Sequence, residues 1–319
     1  TILLVLASIM TKKLSTMSAL IAIPIVACLF LGQGSDLGKY MLAGIKNVAP
    51  TGAMFIFAVL FFTILGDAGV FEKIVNKIVG IVGSNPVKVC IGTYVITMFA
   101  HLDGSGAATF LIVIPALLPI YEKLKMDRRI LATIVALGAG TMNMLPWGGP
   151  TLRAATSLDI PVMDLFNPMI VPQIAGMACG IAIAAFFGMK EKRRLGTELA
   201  SISVAPAVLS EEEQVLRRPK LFWFNLILII VTVALMVEGT LPPVGCFMAA
   251  LVVMLIVNYP DVKLQGKLID AHAKEALMMA SVLFAAGIFT GIMKGSGMIS
   301  AMANGLVEIM PESLAPHFA

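Results

Sequence analysis

The sequence predicts an all-α polytopic membrane protein built from two inverted-topology repeats, with a re-entrant helical hairpin and a broken transmembrane helix. Three observations predict this fold class: the apolar composition, a similarity between two parts of the chain, and two interrupted apolar stretches. The 319 residues are 59% hydrophobic and only 13% charged, and their mean hydropathy is +0.95. Soluble domains carry about twice that charged fraction, roughly 25%.

Apolar runs supply the predicted membrane spans. About 20 helical residues cover the ~30 Å hydrocarbon core of a bilayer. Because unpaired backbone groups cannot face lipid, and no strand alternation suggests a barrel, we expect helices. The clearest runs are 14–31, 49–65, 168–188, 221–237, 244–257 and 276–293.

The distribution of basic residues predicts the orientation of these spans. The net charge of +4 identifies no nucleic-acid partner, because the basic residues are grouped in short loops that orient the chain in a bilayer. By the positive-inside rule the basic loops are cytoplasmic, and the loops without Lys or Arg are external. The basic loops are 11–15, 121–129, 190–194 and 217–220, and the others are 157–164 and 238–243. Residues 82–88 and 121–126 must then share one side, which predicts a re-entrant hairpin over 86–120.

Two parts of the chain resemble each other at a constant offset. A shift of 227 places Leu14 on Leu241 and Ala49 on Ala276, and a shift of 228 places Gly69 on Gly297. The loop before Leu14 is basic and its counterpart is not, so the copies are expected to cross the membrane in opposite senses. Secondary transporters with such repeats place substrate and coupling ions near the midplane between the copies.

The repeat predicts the domain organisation. Residues 1–188 form the first repeat, with scaffold helices, the hairpin 86–120, a broken helix over 129–159 and a return helix over 166–188. Residues 189–220 form a cytoplasmic linker. Residues 221–319 are expected to form a second repeat that stops before its hairpin, whose tip would fall at about position 330.

The hairpin tip, "HLDGSGAATF" (101–110), is the first candidate site. Gly104 and Gly106 favour an unwound tip, so Ser105, Thr109 and the freed amides are expected to face a bound anion. An acid at bilayer depth costs ~2.5–3.5 kcal/mol and usually serves ions or protons. Asp103 is therefore expected to bind a cation or proton, with Ser105 beside it; the alternative is that Asp103 only caps the second helical arm.

The second candidate site is "TMNMLPWGGPTLRAA" (141–155). Pro146 and Pro150 disfavour a continuous helix, and Gly148 and Gly149 favour unwinding. A helix from Arg129 to about residue 144 is expected to stop here and to restart near residue 151. Such a break exposes carbonyls for a cation at one helix end and amides for a carboxylate at the other.

Side chains in this second stretch extend the predicted site. Asn143 and Thr151 offer neutral hydrogen-bonding groups for substrate, and Asn143 also for a coupling cation. Arg153 is either a carboxylate clamp in the cavity or a basic residue that snorkels to the external surface. Trp147 is either an interface anchor or a wall of the pocket.

These motifs resemble the citrate–metal:proton symporter family of the ion transporter superfamily, which also includes the divalent-anion:sodium symporters. The combination of "NMLPWGGPT" with the Asp-Gly-x-Gly tip is specific. The resemblance covers most of the chain and runs through 46–71, 102–126, 143–155 and 284–303. It implies proton-driven uptake of citrate complexed with a divalent metal, Mg²⁺ or Ca²⁺. It also implies an elevator-like movement, a homodimer and a bacterial cytoplasmic membrane, with Asp103 the candidate to contact the metal that the bound citrate carries.

One departure from the family leaves the coupling open. The family tip commonly reads Asp-Gly-Asp-Gly-Thr-Thr-Thr, whereas this chain has Ser105, Ala107 and Ala108 at the third, fifth and sixth positions. Hard divalent cations need several oxygen ligands, so a proton- or sodium-coupled carboxylate transporter without metal is an alternative, as is a cation:proton antiporter. An intramembrane enzyme is disfavoured, because no facing pair of catalytic groups is evident.

Overall fold

A computed structural model describes the chain over residues 1–71, 73, 78, 85–103, 106–196 and 211–309. The regular elements of this part are all helical, as the composition predicts. The α-helices are α1 (Ile2–Met10), α2 (Thr16–Phe30), α3 (Leu37–Asp67), α4 (Pro86–Ala100), α5 (Gly106–Lys123), α6 (Arg128–Met142), α7 (Gly149–Leu158), α8 (Val162–Leu195), α9 (Glu211–Leu216), α10 (Phe222–Glu238), α11 (Pro243–Asn258), α12 (Val262–Gly295) and α13 (Met298–Ile309).

Four helical segments are long and apolar enough to cross a membrane: 37–67, 162–195, 219–238 and 262–295. These coincide with four of the predicted spans, as expected for a polytopic helical membrane protein. The helices α3, α8 and α12 extend well beyond the apolar runs, because their ends carry polar residues that hydropathy does not count as span. By contrast, α2 and α11 have 15 and 16 residues and are only about 23–24 Å long.

Helix boundaries recur along the chain at nearly constant offsets. The helices α2 and α11 begin 227 residues apart, at 16 and 243, and α3 and α12 end 228 residues apart, at 67 and 295. Gly69 and Gly297, also 228 apart, both have a positive φ, of 83° and 75°. These offsets match those found between the sequences themselves.

The described chain divides into two compact units. One contains residues 1–53, 153–159 and the described residues from 277 onward; the other contains 54–152 and 160–276. In the first unit α3 and α12 approach closely, since a Cβ on Gly44 would lie 2.1 Å from the carbonyl oxygen of Gly287. Asp159 hydrogen-bonds both Asn47 and Lys294, and the Lys294 ammonium holds the pKa of that carboxyl below its ordinary value.

The second unit packs α4, α5 and α6 around one apolar core. Tyr94 and Tyr121 are fully buried there, with Ala184 of α8 against the same core. A Cβ on Gly180 of α8 would lie 2.1 Å from the hydroxyl of Tyr94, which in turn donates to Thr141 of α6 over 3.1 Å. Only glycine lets α8 approach α4 this closely.

Both ends of the α4–α5 pair lie against the C-terminal end of α8. At the start of α4, the Cα of Val87 would lie 2.5 Å from a Cβ on Gly188. In the loop after α5, the amide of Asp127 donates to Glu191 over 2.9 Å, and Arg194 donates to the carbonyl of Lys125 over 2.6 Å. The start of α4 and the loop after α5 therefore lie at the same end of α8.

Candidate functional site

The structure interrupts the helices at both predicted places. The helix α4 ends at Ala100, a 3₁₀ turn covers His101–Asp103, and α5 begins at Gly106. The predicted tip residues Gly104 and Ser105 lie outside the described residues, and the side chain of Asp103 is not described either. The interruption between α4 and α5 is confirmed, whereas the roles assigned to these three residues stay predictions.

The second interruption covers residues 143–148. The helix α6 ends at Met142 and α7 begins at Gly149, about two residues earlier than predicted at each end. Pro150 does not break the helix as expected, because it lies in the first turn of α7, where its missing amide hydrogen has no intrahelical partner to lose. The turn at the break requires Gly148, because a Cβ there would lie 2.1 Å from the carbonyl oxygen of Asn143.

A buried histidine joins the two interruptions. His101 has 0% exposure and lies at the end of α4. Its Nδ1 is 2.7 Å from the hydroxyl of Thr109 in α5, and its Nε2 is 3.1 Å from the Oδ1 of Asn143, the first residue after α6. Two of the predicted substrate residues are thus brought together by one imidazole ring.

A tryptophan makes the second link between the interruptions. The indole nitrogen of Trp147 donates to the main-chain carbonyl of Leu102 over 2.7 Å. The ring is 2% exposed, stacks on Phe62 of α3 at 5.1 Å and meets Phe247 of α11 edge-on at 5.3 Å. Trp147 is therefore an internal wall that holds the break of α6–α7 against the turn after α4, and not an anchor at the membrane surface.

The remaining predicted residues lie on the helix starts or beyond them. Gly106 and Gly149 are the first residues of α5 and α7. Thr151, in the first turn of α7, is 7% exposed. Arg153 is exposed and belongs to the first compact unit.

The arrangement offers hydrogen-bonding groups of both kinds. The last carbonyls of α4 and α6 and the first amides of α5 and α7 lie outside the regular hydrogen-bond pattern of a helix. Some of them are bonded locally: the carbonyls of Thr141 and Met142 accept from the amides of Met144 and Leu145. Carbonyls suit a cation, and amides with the positive end of a helix dipole suit an anion. Over the part of the chain that the structure describes, no three His, Cys, Asp or Glu side chains come together as a metal site.

The joining role of His101 was not predicted from the sequence, whereas Trp147 was predicted to be either an interface anchor or a wall of the pocket. His101 forms no metal-ligand pattern with the other histidines, and its partners are 8 and 42 residues away, which no local spacing reveals. The one available signal was its position two residues before Asp103 in an otherwise apolar run, since polar groups at membrane depth usually pair with one another.

Comparison with known proteins identifies the family to which the sequence is similar. The family model described as "Citrate transporter" matches residues 3–317. Three proteins of Bacillus subtilis (strain 168) are similar over 97% of this chain. They are "Citrate transporter", at 46% identity over 72% of that protein; "Mg(2+)/citrate complex secondary transporter", at 42% over 72%; and "Uncharacterized transporter YraO", at 39% over 73%.

The family match and these similarities agree with the resemblance carried by the two motifs. The family and all three similar proteins are named as transporters. The matched region includes both interruptions and all four long apolar segments. The chain is therefore a transporter and not an enzyme, and it belongs to the citrate transporter family.

Proposed function

We propose that the protein is a secondary active transporter that takes up citrate, or a related di- or tricarboxylate, as a complex with Mg²⁺ or Ca²⁺, driven by protons. The observation that carries this proposal is the pair of interrupted helices joined at His101, which collects carbonyls, amides and neutral side chains at one place. Membership of the citrate transporter family supports the substrate. The relative named as an Mg(2+)/citrate complex transporter supports the metal.

The charge of such a complex suits a site of this kind. Citrate carries three negative charges at neutral pH, so its complex with one divalent cation retains a single net negative charge. Burying one charge costs far less than burying three. The described side chains at the two interruptions, Thr109, Asn143 and Thr151, are neutral donors and acceptors, which can bind the oxygens of such a complex without a strong field of either sign.

The packing of α4 and α5 supports a re-entrant hairpin. Val87 at the start of α4 and Asp127 after α5 both contact the C-terminal end of α8, as expected for a pair that enters and leaves the membrane on one side. We place that side in the cytoplasm, because basic residues cluster there, including Arg128 and Arg194. We propose the cytoplasmic membrane of a bacterium, because the similar proteins come from Bacillus subtilis.

The recurring helix boundaries support an inverted repeat. The offsets of 227 and 228 residues relate α2 and α3 to α11 and α12, and the loops before the two copies differ in basic charge. In such repeats, transport follows largely from the rigid-body movement of one repeat or bundle against another. We propose an elevator-like movement, in which a transport domain that carries the interrupted helices moves against a scaffold, within a homodimer.

The proposed roles of individual residues follow from their chemistry. Asp103 binds the coupling proton or the metal of the complex, and Ser105 adds a hydroxyl beside it. Arg153 clamps a carboxylate of the substrate. If Arg153 instead snorkels to the external surface, its replacement by Gln will leave the apparent affinity for citrate unchanged.

Uptake of labelled citrate by the full-length protein in proteoliposomes tests the proposal. We expect accumulation that requires Mg²⁺ or Ca²⁺ and an inwardly directed proton gradient. Uptake without metal would contradict transport of a metal complex, and uptake driven by a sodium gradient alone would contradict proton coupling. The absence of uptake of any di- or tricarboxylate under every gradient would refute the proposed function.

Two substitutions at the hairpin tip test the coupling. Asp103→Asn is expected to insert into the membrane normally and to abolish coupled uptake, because the amide cannot be ionised. Ser105→Asp restores the carboxylate of the family pattern and is expected to strengthen the dependence on divalent metal. Normal proton-dependent uptake by the first variant, or an unchanged metal profile in the second, would remove that residue from the site.

A further inference from the structure

We infer that His101 is a positioning residue that turns the side-chain NH₂ group of Asn143 towards the carboxylate of the substrate. This inference rests on the proposed function, and it assigns the two ends of the Asn143 carboxamide to different partners. Its oxygen is held by the protein, and its nitrogen is presented to the substrate.

The ring of His101 fixes the direction of each hydrogen bond. The Oδ1 of Asn143 can only accept, so Nε2 of the imidazole must carry the hydrogen and donate it over 3.1 Å. In the neutral ring, Nδ1 then accepts from the hydroxyl of Thr109, which lies 2.7 Å away. The same hydroxyl also lies 3.5 Å from the carbonyl oxygen of Ala100.

Burial keeps the imidazole ring of His101 in one orientation. His101 and Thr109 both have 0% exposure, so no solvent competes for their hydrogen bonds, and a rotation of the ring would break two bonds at once. Asn143, by contrast, is only half-buried. Because a carboxamide is planar, with its oxygen and nitrogen on opposite sides, the nitrogen of Asn143 points away from the buried ring.

The orientation decides which ion this side chain serves. An NH₂ group donates hydrogen bonds and therefore recognises a carboxylate, whereas the carbonyl oxygen would recognise a cation. Since the imidazole already occupies that oxygen, Asn143 contacts the anionic part of the substrate. Of the two roles that the sequence predicts for Asn143, substrate binding is retained and cation coupling is assigned to other groups of the site.

The test compares Km and maximal rate for Mg²⁺–citrate uptake among variants of the full-length protein in proteoliposomes. Asn143→Asp keeps an acceptor for His101 but replaces the donor by a negative charge. We expect it to raise Km roughly 10- to 100-fold, as for loss of a hydrogen bond to a charged group. A Km equal to that of the wild type, or tighter metal-dependent binding, would show that the oxygen of residue 143 faces a cation and would overturn the inference.

His101 is tested with a conservative and a truncating change. His101→Gln can still donate to Asn143 and accept from Thr109, and it cannot be protonated, so we expect a Km within about threefold of wild type. His101→Ala releases Asn143 and is expected to raise Km about tenfold. Equal loss in both variants, or no change in Km in the alanine variant, would overturn the positioning role.

A buried threonine of the same helix provides the matched control. The hydroxyl of Thr97 bonds the carbonyl of Thr93 within α4, over 2.7 Å, so Thr97→Val is expected to leave Km unchanged. Elution as a single species in detergent is the criterion that each variant is folded. If His101→Ala fails this criterion, the Km of Asn143→Asp decides the test. Absence of citrate uptake by the wild type would refute the proposed function itself, which separates that failure from failure of the inference.

Discussion

Replacement of Trp147 by Phe tests whether the link between the two interruptions stabilises the protein. The phenyl ring can retain the stacking on Phe62, whose centroid lies 5.1 Å from that of the indole. It cannot retain the hydrogen bond of the indole nitrogen to the carbonyl of Leu102. The substitution therefore separates the hydrogen bond from most of the aromatic packing.

The structure sets the size of the effect. Trp147 is 2% exposed, so the carbonyl of Leu102 loses a buried donor that water does not readily replace, at a cost of about 1–3 kcal/mol. The smaller ring also leaves a void, which costs roughly a further 1 kcal/mol. The free energy of unfolding should fall by about 2–4 kcal/mol in total.

Equilibrium unfolding in mixed detergent micelles, followed by circular dichroism, measures this difference. The other tryptophan gives a matched control: Trp223 is 68% exposed and contacts the ring of Phe222 at 5.3 Å. Trp223→Phe should change the free energy of unfolding by less than about 0.5 kcal/mol. Equal effects of the two substitutions would refute the reasoning that Trp147 stabilises the site through Leu102.

Two further predictions concern the helices that support the site. Gly180→Ala should destabilise the protein by about 1–3 kcal/mol, because the new Cβ collides with Tyr94, whereas Gly140→Ala, with nothing within 4 Å, should be neutral or slightly stabilising. Arg129 hydrogen-bonds Asp127 and lowers the pKa of its carboxyl from 3.8 to about 2. That carboxylate therefore stabilises the fold above about pH 4 and loses its effect as the pH falls through about 2, so Asp127→Asn should flatten the acid limb of a pH–stability profile; an unchanged limb would contradict this.

The interruptions were predictable because their cause is local. Gly148 and the proline residues act on their own backbone, and their effect on a helix can be stated from one sequence. Even so, Pro150 proved compatible with the first turn of α7, because only its position relative to the new helix start decides whether it breaks a helix. The positions of helix ends depend on such balances, and at this break they were predicted to within about two residues.

The assembly of the site was not predictable from the same patterns. The contacts of His101 with Thr109 and Asn143 depend on how three helices pack, and a lone histidine in an apolar run has no spacing that identifies its partners. The close approach of α4 to α8 at Gly180 was likewise hidden, since a glycine within a helix does not reveal whether its missing side chain is needed for packing.

A structure of the full-length protein in a lipid nanodisc with Mg²⁺ and citrate will show whether the two interrupted helices form one binding site for a metal–citrate complex. We expect both interruptions to lie within the bilayer, with ligand density between them and a carboxylate within hydrogen-bonding distance of the Asn143 nitrogen. Ligand density elsewhere in the protein, or a continuous helix through residues 143–148, would contradict this expectation.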